Sequence, residues 1–222
     1  MGQAVNIQVA QMNVIGGWRA DPQGTPRGAL VVVQEIFGVN AHMRSLTDRF
    51  AEQGFIAIAP ALFDPVQHNV ELSYDQSGFV KGRELVSALG IDRAVTIVDA
   101  TAQLLRDEGR NVGVVGYCWG GSVAFLANTR LGLPAVSYYG ARTLLFLDEP
   151  LRAPMLFHFG ANDSSIPSAD IDAHRHRQPD AGVQVYPGGH AFNRDVDPEH
   201  YEAESAALAL QRTLAFFAEH LR

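Results

Sequence analysis

The chain has 222 residues, 47% of them hydrophobic and 18% charged, a length at which an α/β chain commonly remains one domain around one core. No second domain, linker or disordered stretch is expected from this composition. Seventeen Lys and Arg against 24 Asp and Glu give a formal net charge of −7, which repels polyanions and excludes a general nucleic-acid binder.

In chain order, residues 5–18 alternate weakly and read as an antiparallel edge hairpin. The apolar run 29–34 predicts a buried strand, and Met43, Leu46, Phe50 and Ala51 lie at helical spacing over residues 42–54. A strand over 55–59 precedes Pro60, and the polar, irregular stretch to about residue 80 reads as a long loop. Residues 92–106 carry Ala94, Val95, Val98, Ala102 and Leu105 on one helical face, and a strand over 112–116 follows. Next come a helix at 120–129, strands at 134–138 and 155–159, a helix at 168–177, a strand at 183–186 and a closing helix at 199–221. Helices alternating with short, continuously apolar strands imply an α/β fold with a mostly parallel sheet covered on both faces.

Cellular setting follows from what the chain carries. The first residues, Met1-Gly2-Gln3-Ala4-Val5-Asn6, have neither the basic start nor the apolar run of a signal peptide. No apolar segment is long enough to span a bilayer, so a cytoplasmic protein without a membrane partner is expected. One cysteine excludes an internal disulfide and cannot supply the clustered thiolates of a structural zinc site. His174 and His176 are two apart on a predicted helix and do not face each other, which points to a solvated surface rather than a metal site.

Cys118 is therefore inert packing or a reactive group. Gly116-Tyr117-Cys118-Trp119-Gly120-Gly121 lies between the strand at 112–116 and the next helix. It has the form G-x-C-x-G of a nucleophile elbow, in which flanking glycines make room for a strained turn. A helix start also favours a thiolate. Such a nucleophile needs a base and an orienting acid, which in this fold follow in the order nucleophile, acid, histidine. Asp163 comes just after the strand at 155–159, and His190 follows Pro187-Gly188-Gly189 after the strand at 183–186; both lie beyond the C-terminal ends of strands, where α/β sheets bind ligands. His190 is the expected base and Asp163 the orienting acid. Asn162, Ser164 and Ser165 give Asp163 a rival reading as a turn former.

These residues resemble the dienelactone hydrolase family of cysteine-dependent α/β-hydrolases. The resemblance rests on Gln34-Glu35-Ile36-Phe37-Gly38-Val39-Asn40, the elbow at 116–121, Gly160-Ala161-Asn162-Asp163 and Gly189-His190-Ala191-Phe192-Asn193-Arg194, and it runs over most of the chain. It implies that Glu35 holds the thiol neutral until a substrate carboxylate displaces the contact, since a carboxylate beside a thiol opposes a second negative charge. It also implies an oxyanion hole from the amides of Ile36 and Trp119, and carboxylate binding by Arg194, whose planar fork suits that group. The family's second substrate cation corresponds to Lys81 or Arg83, with a count back from Asp99 favouring Lys81. The same count sets Leu85 where the family has a tyrosine.

The resemblance implies a reaction that opens a small carboxylate-bearing lactone, of the type that converts dienelactone to maleylacetate, whereas the motifs alone point to a thiol-dependent carboxyl-ester hydrolase; no cofactor and no metal are expected. The substrate is the expected partner, and the chain is expected to be a monomer or small homo-oligomer. Two alternatives remain open: a promiscuous thiol-dependent esterase or thioesterase, and a non-catalytic module whose thiol senses oxidants.

Overall fold

The structure, a computed structural model, describes residues 2–10 and 13–221. Its strands are β1 (Gln3–Ile7), β2 (Ile15–Ala20), β3 (Ala29–Val33), β4 (Ile56–Pro60), β5 (Val112–Tyr117), β6 (Ala135–Tyr138), β7 (Met155–Gly160) and β8 (Gly182–Tyr186). The helices are α1 (Ala41–Glu52), α2 (Gln76–Leu89), α3 (Ile91–Asp107), α4 (Trp119–Leu131), α5 (Ser168–Arg177) and α6 (Ala203–His220). The strands run in the order β1-β2-β4-β3-β5-β6-β7-β8. By contact the chain divides into two compact units, one reaching to Val114 and including Leu221, the other Val115–His220.

In the first unit β1 and β2 form the expected antiparallel hairpin, with Gln3 opposite Arg19 and Ile7 opposite Ile15. β2 continues antiparallel to β4, and β4 lies parallel to β3. All five residues of β3 and of β4 are buried, as continuous apolar runs require when both faces of a strand are covered. Each fully buried Val or Leu there contributes about 1.5–3 kcal/mol. α1 is capped by Asn40, whose side chain accepts from the Met43 amide. α3 buries Ala94, Val95, Ile97, Val98, Thr101, Ala102 and Leu105, the face its spacing predicts.

The stretch after β4 departs from the expected loop. Residues 76–89 are helical, beginning at the Asp75 cap, whose side chain accepts from Gly78 N at 2.8 Å. That amide bond first, then the Ser73 and Ser77 hydroxyls, hold the Asp75 carboxyl down to about 2. Two glycines within the helix argue against it by propensity, but they serve contact. A Cβ on Gly82 would stand 2.3 Å from the Ile36 carbonyl oxygen, so only glycine lets this helix lie so close to the turn after β3.

In the second unit β6, β7 and β8 are parallel, with Tyr138 opposite His158 and Gly160 opposite Tyr186. α4 is buried from Trp119 to Thr129, so it carries no polar face. α6 begins at Ala203 rather than near 199, because the Glu202 carboxylate accepts from Ser205 N at 2.8 Å and Glu204 N at 3.3 Å and so sets the first turn. His174 is not on a solvated surface: it is buried, bonded through Nδ1 to the Asp170 carbonyl at 2.7 Å and packed against the rings of Phe157 and Phe159. Burial holds its imidazole below the usual range. Among the described residues no helix is long and apolar enough to cross a membrane, and no group of three metal-ligating side chains occurs.

Candidate active site

β5 ends at Tyr117 and α4 starts at Trp119, leaving Cys118 alone in the turn with φ 56° and ψ −121°. A side chain in this left-handed region costs about 1–3 kcal/mol. The turn is held by Cys118 N donating to the Tyr138 carbonyl at 3.0 Å and Gly121 N donating to the Cys118 carbonyl at 3.0 Å. It also needs Gly116, where a Cβ would lie 1.9 Å from the Gly120 carbonyl oxygen. Trp119 is buried at the first position of α4, and amides of a first helical turn lack intrahelical acceptors.

The loops after β7 and β8 are tied side by side. Ala161 N donates to the Tyr186 carbonyl at 2.7 Å and Asn162 N to the Gly188 carbonyl at 3.1 Å. Gly160 has room for no side chain, since a Cβ would stand 2.4 Å from the Gly188 oxygen. This approach brings His190 to Asp163: His190 Nδ1 and Asp163 Oδ2 are 2.7 Å apart. Asp163 is buried, and its Oδ1 accepts from Ser165 N at 2.8 Å. Its turn-forming and His-binding roles are thus compatible, one for each oxygen.

His190 also hydrogen-bonds the Cys118 side chain. Burial by itself lowers the pKa of His190, but the electrostatic attraction of Cys118, the hydrogen bonds with Asp163 and Cys118 and the charge of Asp163 together outweigh it and lift the value to about 10. A thiol, an imidazole and a carboxylate in this order can act chemically as nucleophile, proton carrier and orienting group.

Arg194, four residues past His190, is buried, and its Nη1 donates to Asp197 Oδ2 at 3.0 Å. Asp197 also meets His200 Nδ1 at 2.9 Å. Burial raises the Asp197 pKa, but the bonds from His200 and Arg194 outweigh it and hold the carboxyl below its ordinary value.

Glu35, Ile36, Lys81 and Arg83 belong to the first unit. Glu35 is buried just past β3, in a turn that Gln34 secures by accepting from Leu62 N at 3.1 Å and donating to the Glu35 carbonyl at 3.2 Å. Lys81 and Arg83 are on α2 rather than in a loop. Lys81 lies 3.6 Å from Glu84, and the exposed Arg83 stands 5.8 Å from the Phe79 ring centroid. Leu85 is buried on the same helix.

Sequence reasoning passed over Tyr139. It follows β6, has φ 40°, sets its ring 4.9 Å from that of His190 and donates its hydroxyl to Asn193. The available signal was the pair Tyr138-Tyr139 ahead of Gly140 at a strand end.

Comparison with known proteins gives a consistent result. The model of the dienelactone hydrolase family matches residues 15–221. A Yersinia pestis protein named "putative carboxymethylenebutenolidase" is 36% identical, over 91% of this chain and 82% of that protein. The carboxymethylenebutenolidase of Pseudomonas putida is 31% identical, over 97% of this chain and 96% of its own. Among solved structures, a "putative dienelactone hydrolase" from Klebsiella pneumoniae superimposes with a TM-score of 0.86 at 30% identity, covering 99% of both chains.

Proposed function

The chain belongs to the dienelactone hydrolase family, has its α/β-hydrolase fold and is a hydrolase acting on ester bonds; from that premise we propose that it opens a small carboxylate-bearing lactone, of the dienelactone-to-maleylacetate type, through Cys118, His190 and Asp163. The observation that carries the reading is the hydrogen-bonded line from Asp163 through His190 to a cysteine in a strained strand-to-helix turn.

In the first step the Cys118 thiolate attacks the lactone carbonyl. A C–S bond forms, the ring C–O bond breaks, and the departing oxygen takes the proton of the His190 imidazolium. In the second step neutral His190 removes a proton from water, the hydroxide adds to the thioester carbonyl, and the C–S bond breaks to return the thiolate beside an imidazolium. Asp163 remains ionised throughout, keeping the imidazole oriented. The opened product is first an enol; loss of its hydroxyl proton and protonation at carbon give the keto acid, which bears one more carboxylate than the substrate.

The Trp119 amide is proposed as an oxyanion donor by its position after the nucleophile. Arg194 is proposed to bind the substrate carboxylate, which then competes with Asp197 for the guanidinium. The roles of Glu35 in restraining the thiol, of the Ile36 amide in the oxyanion hole, and of Lys81 or Arg83 as second cation are proposed from the family resemblance alone. Cytoplasmic action on a free small molecule is part of the same reading.

A second reading, a thiol-dependent esterase or thioesterase of other small esters, is favoured by Leu85, which offers no hydroxyl where the family resemblance sets a tyrosine. The test is loss of dienelactone ultraviolet absorbance, with Cys118→Ala as control. Turnover by the wild type and none by the variant supports the lactone reading. Turnover of simple aryl esters alone, through Cys118 and without inhibition by free carboxylates, supports the second. No Cys118-dependent turnover on either substrate overturns both.

A further inference from the structure

Among the described residues, four that are not glycine have positive φ: Asn69, Cys118, Tyr139 and Ala191. Three of the four surround one imidazole. Cys118 bonds it, Ala191 follows it in the chain, and Tyr139 lays its ring 4.9 Å away at 56°. Strained backbone persists only where surrounding structure over-determines it, and it concentrates at functional sites. At Tyr139 the fastening is explicit: its amide donates to the His158 carbonyl at 2.8 Å, and the preceding carbonyl, that of Tyr138, accepts from Cys118 N.

His190 has a mechanical difficulty. It follows Pro187-Gly188-Gly189, whose two glycines resist swinging poorly. Its Nδ1 contact with Asp163 fixes one edge of the ring but leaves rotation about that bond, which would carry the other edge away from the sulfur. The buried Tyr139 blocks this motion at two points, its ring against the imidazole and its hydroxyl on the side chain of Asn193, three residues farther along the same loop. Phe192, between them in sequence, packs edge-on to the Tyr139 ring at 5.6 Å.

We propose that Tyr139, acting with Asn193, is a positioning residue that holds the His190 ring between Asp163 and Cys118. The inference rests on the reading of Cys118, His190 and Asp163 as the reacting group. Tyr139 itself carries no proton in the reaction; it sets how often the imidazole is aligned when the thioester forms and when water attacks it.

The test uses Tyr139→Phe, which keeps the ring and loses the hydroxyl, Asn193→Ala, and the double variant. Kinetics on an aryl ester are measured alongside NMR titration of the His190 imidazole. Each single variant is expected to lower kcat about tenfold with KM within about twofold, and the double variant to be no worse than the poorer single, because both remove one clamp. The His190 titration midpoint is expected to fall by about one unit as its bonds with Asp163 and Cys118 loosen. Tyr139→Ala, which removes the ring as well, should lower kcat further. Unchanged kcat in both single variants, multiplying losses in the double, or a fall in kcat with an unmoved His190 titration would each overturn the proposal. If wild-type turnover proves independent of Cys118, the functional reading fails separately, and the titration still decides whether Tyr139 positions His190.

Discussion

The loops after β7 and β8 contrast with the stretch from β4 to α2. The first pair is bound backbone to backbone, through Ala161 to Tyr186 and Asn162 to Gly188, with Gly160 excluding any side chain between them. Asp163 and His190 inherit their separation from that fastening. The second stretch is secured at its ends, where Leu62 N donates to Gln34 and Leu72 N to the Phe37 carbonyl. It then presents Lys81 and Arg83 on a helix where their contacts are Glu84 and the Phe79 ring. On the proposed reading, the groups assigned to chemistry are held by the backbone, whereas those assigned to binding the substrate stand on a helix that can change its side chains at small cost. Under that reading the reaction would be kept while specificity changes on the helix.

Four changes bear on this contrast. The largest effect is expected from Asp163→Asn, which leaves shape intact but frees the imidazole tautomer; kcat on an ester substrate should fall about a thousandfold, measured with purified variant and wild type. A loss below about tenfold would break the claim that the β7 and β8 loops exist to pair these two groups.

Acid should act next. His158 is buried on β7, its Nε2 3.0 Å from Thr213 Oγ1 and its Nδ1 2.8 Å from the Tyr186 hydroxyl. Burial first, then the Arg212 charge, lowers its pKa to about 3. The unfolded chain binds a proton near pH 6.5 that the folded chain refuses, so stability falls as pH drops through this window. Its share of the loss is about 3 kcal/mol between pH 6.5 and pH 4. Urea unfolding should therefore give a flatter acid limb for His158→Gln than for wild type. His190 has the opposite sign: raised to about 10, it contributes stability that is complete below its unfolded pKa and is lost as pH rises through about 10.

Gly160→Ala should cost about 2 kcal/mol of stability, because its Cβ would meet the backbone of the β8 loop; thermal unfolding checks this, and a neutral result would mean the loops are not tightly apposed. The smallest effects belong to α2. Lys81→Ala and Arg83→Ala should each change stability by less than about 0.5 kcal/mol. Lys81→Ala should raise KM for a carboxylate-bearing ester about fivefold without changing kcat, and Arg83→Ala should do less. A kcat effect from either would place the helix among the reacting groups and dissolve the contrast.

What sequence reveals follows the same division. β3, β4 and β5 are continuous apolar runs and β7 is interrupted by His158 alone, and such runs are visible because burial on both faces leaves little alternative. The elbow is legible because glycine spacing around Cys118 reports a backbone requirement directly. α2 is not, since its buried face is Gly78, Gly82, Leu85, Val86 and Leu89, and two glycines hide a helix whose logic is close approach. His174 misleads for a related reason: it takes its burial from Phe157 and Phe159 on a neighbouring strand, a contact that helical spacing does not encode. Tyr139 depends on a left-handed backbone that no residue type but glycine announces.

The central claim is that Cys118 carries the acyl group between two half-reactions. Intact-mass and peptide-mass spectrometry of enzyme quenched in acid during turnover of an ester tests it directly. The account predicts an adduct equal to the acyl portion of the substrate, confined to the peptide containing Cys118 and absent from Cys118→Ala. Turnover that persists in Cys118→Ala, or an adduct on any other residue, would contradict it.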